Sequence, residues 1–152
     1  MPVEIFAADP REQPGSGLLA AAVAEISELH GPEADRRGFH LAPGELMPPL
    51  GAFLVIHEDG VPVGCGGVKR WAPGTGEIKR MYVDPSARSR GYARRLLAAL
   101  EEAARALGFV RVRLDTGPRQ PHALALYRSA GYEAIADYNG NRRAAHWFEK
   151  RL

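Results

Sequence analysis

EIKRMYVDPSARSRGYARRLLAALEEAARALG, residues 77–108, is the stretch whose reading decides how this chain folds. Residues 77–83 are a run of strand formers, closed by Asp84-Pro85 because proline cannot donate to a sheet ladder. From Gly91 to Leu107, apolar residues recur at helical spacing at Tyr92, Leu96, Leu100, Ala103 and Leu107, and Gly108 ends the stripe. Strand, turn and helix therefore follow one another directly. The turn and the start of the helix carry Arg88, Arg90, Arg94 and Arg95. Cations at a helix N-terminus oppose its macrodipole, so this cluster is unfavourable unless an anion lies among the arginines. A helix start also offers unpaired N–H groups, and Gly91 allows a ligand close to the backbone, so the segment reads as a phosphate-binding turn.

Working outward, VRVRLDT at 110–116 alternates strictly and predicts a strand. Residues 121–130 predict a helix that starts at proline and ends at Gly131, and 132–136 and 144–150 predict two last strands. Upstream, AFLVIHEDGVPVGCGGVKRW at 52–71 reads as two strands joined by Asp59-Gly60, a hairpin turn whose residues tolerate positive φ. Residues 3–8 predict a first strand and 17–29 a helix stopped by Gly31-Pro32. The stretch 34–51 reads only as a short helix or an irregular lid. This order gives an α/β (α+β) fold with a mixed sheet of about seven strands flanked by helices, in one domain spanning 1–152.

The chain has 152 residues, 45% hydrophobic and 25% charged, the composition of an ordinary globular domain. Its formal charge of +2 is too near neutrality for a surface that tracks nucleic acid, so any anion site is local. One cysteine, Cys65, excludes an internal disulfide framework and argues against a thiolate metal cluster, so no metal is expected and the reducing cytoplasm is. The longest apolar run, LLAAAVA at 18–24, is too short to span a bilayer, and the N-terminus has no basic leader, so no membrane role is expected.

A triphosphate loop would need GxxxxGK[ST] and a dinucleotide fold GxGxxG between strand and helix; neither is present. VGCGGV at 63–68 has no helix after it and reads as a bulged or bent strand. What remains is RxxGxA, formed by Arg88, Gly91 and Ala93 after a strand that begins with Glu77, and ALALYRSAGY at 123–132. Together these resemble the acyl-coenzyme-A signature and penultimate helix of the GNAT superfamily of N-acetyltransferases. The longer run 114–133 is similar to one branch of that superfamily. The resemblance spans about half of the chain, from residue 77 to about 150.

The resemblance implies splayed central parallel strands, at 77–83 and 110–116, with a slot for the pantetheine arm of acetyl-CoA. Backbone of Met81 and Val83 would pair with that arm, and Arg88, Arg90, Gly91, Tyr92, Ala93 and Arg94 would hold the pyrophosphate. Tyr127 would lie beside the cofactor and protonate the departing thiolate, a phenol being close enough in pKa to a thiol to do so. One departure is Gln120-Pro121-His122, where many members carry an asparagine that touches the cofactor.

The implied function is transfer of an acetyl group from acetyl-CoA to a small primary amine, possible acceptors including amino acids, by direct ternary-complex transfer. Glu77, at its strand's start, could take the amine's proton directly or through water, or could merely pair with Lys79 or Arg80. His40, His57, His122 and His146 are alternative bases. Tyr138, Asn139, Arg142 and Arg143 are expected on the acceptor's side, with 34–51. The implied partners are acetyl-CoA and the amine, a homodimer remaining open. A rival reading keeps the cofactor turn in a non-catalytic binding module, and another acetylates a protein amine. Cys65 reads as a small buried side chain rather than a nucleophile.

Overall fold

The computed structural model describes residues 2–30, 41–118 and 120–152. In chain order these form β1 (Val3–Ala7), α1 (Gly15–His30), a 3-10 turn (Pro43–Leu46), β2 (Gly51–Glu58), β3 (Val61–Ala72) and β4 (Thr75–Val83). A second 3-10 turn (Pro85–Ala87) leads to α2 (Tyr92–Ala106), β5 (Arg111–Thr116), α3 (Pro121–Ser129), β6 (Glu133–Ile135) and β7 (His146–Arg151). The seven strands make one sheet in the order β1-β2-β3-β4-β5-β7-β6. Only β4 and β5 pair in parallel; the other neighbours are antiparallel.

The expected architecture is therefore present, with shifted ends. Helix α1 is longer at both ends than the predicted 17–29, and the last strand begins at His146 rather than residue 144. Of the stretch 34–51, residues 34–40 lie outside the described residues, and the helix that forms in the rest is the short turn at Pro43. The Asp59-Gly60 hairpin forms with both residues left-handed, at φ 50° and 78°, as a tight turn matched to strand twist requires.

Alternation along β2 divides the core between two faces. Leu54 packs with Leu96, Leu97 and Leu100 of α2, whereas its neighbours Phe53 and Val55 pack with Leu46 and with Leu18 and Leu19 of α1. Leu96 and Leu100 are fully buried, and burial of each contributes about 2 kcal/mol. That docking fixes the N-terminus of α2 beside the end of β4.

A bulge sets the shape of the sheet's centre. Cys65 pairs with Tyr82 and Gly67 with Lys79, so Arg80 and Met81 together oppose the single residue Gly66. Arg80 takes φ 58°, a strained value for a non-glycine residue. A Cβ on Gly66 would lie 2.8 Å from Leu100 Cδ1 and 3.2 Å from Met81 Cγ, so glycine is needed there for α2 to approach the bulge. Pairing of β4 with β5 stops at Glu77 opposite Arg113, although both strands continue. Beyond that pair the strands diverge.

Candidate active site

Divergence of β4 and β5 opens a cleft of about 940 Å³, counting its open mouth. Its walls include Ile78, Met81 and Leu114 from the strands, Tyr127 from α3, Glu25 from α1, and Arg143 from the loop between β6 and β7. Among the described residues the charged side chains on it are Glu25, Lys79, Arg80, Asp115 and Arg143, an excess of cations.

Tyr127 is buried in this wall, its Oη 4.0 Å from Met81 Sδ. Burial first, and the negative charge of Asp115 second, push its phenol up to about 12, so it is a protonated donor at neutral pH. Its ring meets Tyr132 edge-on at 5.7 Å and Phe148 at 6.0 Å. Tyr132 in turn donates to the buried Glu101 of α2 at 2.8 Å, and Lys150 closes that network at 2.9 Å. Tyr127 is thus held between α2 and the sheet.

Glu77 is near the cleft but not on its wall, at 2% exposure. Its Oε2 accepts from Tyr138 Oη at 2.7 Å and from Asn139 Nδ2 at 3.3 Å, and Lys79 Nζ lies 3.4 Å from Oε1. Direct contact of this carboxylate with an amine would require breaking that set. Asp115, which sequence reasoning passed over, does line the cleft. Its Oδ2 accepts from Asn139 Nδ2 at 2.5 Å. The orientation of Asn139 is fixed, because Trp147 Nε1 and the Asn141 amide, both donors, converge on its Oδ1 at 3.0 and 3.1 Å. Its NH₂ therefore bridges the two carboxylates. The alternation of VRVRLDT carried the signal for Asp115: Val112 and Leu114 enter the core, which sends Arg113 and Asp115 to the other face.

No histidine of the described residues lines the cleft, and His40 lies outside them. Of the expected acceptor-side residues, Arg143 reaches the wall with Asn141, Tyr138 and Asn139 stand behind it on Glu77, and Arg142 is exposed. Gln120 lies on the cleft wall, and its Oε1 accepts from Thr116 Oγ1 at 2.9 Å and from the Gly117 amide at 3.1 Å. Those contacts orient its amide nitrogen as the remaining donor.

The arginine-rich turn adjoins the cleft at Glu25. Ser89 and Gly91 are both left-handed, at φ 65° and 80°, and such a backbone gathers successive N–H groups into an anion-binding concavity. Gly91 is the N-cap of α2; the helix has no side-chain cap and no acid in its first turn. The amides of Tyr92, Ala93 and Arg94 thus lack an intrahelical acceptor.

The arginines themselves have partners. Arg88 Nε donates to the Val83 carbonyl at 2.8 Å, the group expected to pair with the pantetheine arm, and its guanidinium meets Glu25. Arg90 holds Glu58 through both carboxylate oxygens, at 2.7 and 2.6 Å, and Arg94 donates to Ser129. Glu25 and Glu58 answer within the fold part of the electrostatic conflict that the sequence presented. What the turn offers a ligand is chiefly backbone.

A profile of the acetyltransferase (GNAT) family matches residues 18–132. The chain belongs to the GNAT acetyltransferase family. This GNAT chain is 36% identical over 124 residues to the IAA acetyltransferase of Azospirillum brasilense, covering 80% of its own length and 81% of that protein. It is 31% identical over 110 residues to the amino-acid acetyltransferase of Neisseria meningitidis, but there covers 68% of itself and 25% of that longer chain. A crystal structure from Klebsiella pneumoniae, classed as an acyl-CoA N-acyltransferase, superposes with a TM-score of 0.77 at 32% identity, covering 99% of this GNAT chain and 97% of that one.

Proposed function

We propose that this protein moves the acetyl group of acetyl-CoA to the amine of a small acceptor that carries a carboxylate, by direct transfer. The observation that carries the reading is the cleft between β4 and β5, with a protonated phenol on one wall, a carboxylate on the other and a concave row of amides beside it. The residues fit acetyl-CoA: the left-handed pair Ser89 and Gly91 suits a diphosphate, an added Cβ on Gly91 would meet nothing within 4 Å, and the cleft is lined by Ile78, Met81 and Leu114, apolar side chains suited to a slender arm. Bound there, acetyl-CoA supplies an activated acyl carbon and a thiolate leaving group.

The chain's own residues divide the remaining work. Gly91, Tyr92, Ala93 and Arg94 hold phosphate through their backbone, and Met81 and Val83 flank the arm. Tyr127 gives its proton to the departing sulfur. Asp115 faces the acceptor's nitrogen and takes up its proton, while Glu77, with both oxygens engaged, fixes Asn139 and Tyr138 behind it. Arg143 and Lys79 favour an acceptor with a carboxylate, a preference in keeping with the amino-acid acetyltransferase among the relatives. Cys65 is fully buried, off the cleft wall, and its thiol is pushed up to about 12 by burial, which supports direct transfer over an acetylated cysteine. A reduced cysteine and this donor fit the cytoplasm. Among the described residues no helix is long and apolar enough to cross a membrane.

The test is calorimetric titration with acetyl-CoA, followed by thiol release across the L-amino acids and matched neutral amines. Saturable binding, with turnover fastest for an amino acid, is expected. Binding without thiol release for any amine would replace the enzyme with an acyl-CoA-binding module, and preference for neutral amines would remove the role of Arg143.

A further inference from the structure

We infer that Glu58, at the end of β2, is a positioning residue for the diphosphate-binding turn, and that Arg90 serves as its anchor rather than as a ligand of the phosphates. The inference deepens the acetyl-transfer reading and rests on its cofactor turn.

Glu58 is distant in sequence from the turn and directly beneath it in space. Both its oxygens accept from Arg90 Nη1, at 2.7 and 2.6 Å, and Tyr92 Oη donates to Oε2 as well. The two donors flank Gly91 in sequence, so one carboxylate grips the chain on either side of the N-cap. Three features make that grip consequential. Ser89 and Gly91 are held left-handed, and for Ser89 this is a conformation that an L-residue leaves readily unless its neighbours constrain it. The turn has no side-chain cap of its own, so its geometry comes from outside α2. Glu58 immediately precedes the Asp59-Gly60 turn and pairs with Val61, so the hairpin supplies a rigid mount.

Charge favours the same arrangement. A carboxylate near the positive end of α2 is stabilised by the helix dipole, whereas Arg90 without it would be repelled. The pair thereby fixes the amides without filling the concavity that they form. Arg88 and Arg94 remain on the other contacts described above, to Val83, Glu25 and Ser129.

The two roles for Arg90 predict opposite signs. If Arg90 were a phosphate ligand, Glu58 would compete with the cofactor for it, and Glu58→Gln would tighten binding. If Glu58 positions the turn, Glu58→Gln weakens binding. Acetyl-CoA affinity is measured by calorimetry for Glu58→Gln, Arg90→Ala, Arg90→Lys and the Glu58→Gln/Arg90→Ala double variant, with kcat at saturating acetyl-CoA and Tm alongside. The expected result is a weakening of about fivefold to tenfold in Glu58→Gln and in Arg90→Ala, no further loss in the double, and kcat within twofold of wild type. Arg90→Lys should lose less than Arg90→Ala, because Arg90 meets both oxygens of Glu58 through the single nitrogen Nη1, and an ammonium in its place can donate to both. Tighter or unchanged binding in Glu58→Gln, or additive losses in the double variant, would each overturn the assignment. Should Glu58→Gln fail to fold, Tyr92→Phe gives a second measure, since it removes one of the three bonds and should weaken binding in the same direction. Wild-type protein that does not bind acetyl-CoA at all overturns the cofactor reading together with this one, and that failure is seen before any variant is made.

Discussion

The two sides of the cleft are built from different material. On the side proposed for the donor the groups on offer are backbone amides, supplied within a few consecutive residues around Gly91 and held by two left-handed conformations. On the side proposed for the acceptor they are side chains from three separate elements: Lys79 of β4, Asp115 of β5 and Arg143 of the β6–β7 loop. A backbone site depends on φ and ψ and tolerates many side chains; a side-chain site depends on every residue that supplies it. The first suits a donor common to a family, and the second suits an acceptor peculiar to one member.

The comparison breaks most visibly at the reacting atoms. Tyr127→Phe removes the proton donor and keeps the ring that packs on Tyr132 and Phe148, so kcat should fall about 10³-fold while acetyl-CoA affinity changes less than twofold. Its raised pKa adds a pH test. The folded state keeps the phenol protonated, so kcat should show no descending limb through pH 10; the fold loses stability from this group only as pH rises from about 10 toward 12. A descending limb centred near 9 that vanishes in Tyr127→Phe would contradict the burial on which the assignment rests.

Asp115→Asn sharpens the other side. The amide can still accept from Asn139, so the loop should stay in place while the proton acceptor is lost. Turnover of the best amino acid should fall about 10²-fold, and that of hydroxylamine, already neutral at pH 7.5, about fivefold. Equal losses for both nucleophiles would mean that Asp115 shapes the cleft and takes no proton.

This asymmetry also decides what could be read from the sequence. Strand, turn and helix at 77–108 and the Asp59-Gly60 hairpin are local, and local sterics expose them, whereas the left-handed φ of Gly91 emerges only in the structure. Tyr127 was legible because its helix carries a motif. Asp115 and Glu58 were not, because their roles exist only through partners far along the chain: Asn139 for one, Arg90 and Tyr92 for the other. Glu77 was singled out for its place at a strand start, but that place does not reveal that Tyr138, Asn139 and Lys79 occupy its oxygens. The partners of the arginine cluster were hidden for the same reason, since the carboxylates of Glu25 and Glu58 that meet it come from α1 and β2.

On the donor side, Gly91→Val tests the backbone claim. A Cβ there has room, so the penalty comes from φ alone, about 1–2 kcal/mol of folding stability. Acetyl-CoA binding should weaken about tenfold as the amides turn away, with kcat at saturation little changed. Gly91→Asn should lose less, because asparagine tolerates the left-handed region. Equal effects of the two variants would point to a steric rather than a conformational requirement.

The smallest effect should be at Cys65, on neither side of the cleft. Its side chain is fully buried with Phe53 and Val55, its Sγ lies 3.6 Å from the Arg80 carbonyl, and burial pushes its thiol up to about 12. A thiol in that state has almost no thiolate at neutral pH, so it should not react with a disulfide reagent in the native protein and should react fully once denaturant exposes it. Cys65→Ser keeps a donor for the Arg80 carbonyl, so activity should stay within twofold, although loss of a buried apolar sulfur lowers Tm. Because that carbonyl belongs to the strained residue of the β4 bulge, a marked loss of kcat in Cys65→Ser, with no acetyl-cysteine formed in the wild-type protein, would implicate the bulge in catalysis. A trapped acetyl-cysteine would instead end the case for direct transfer.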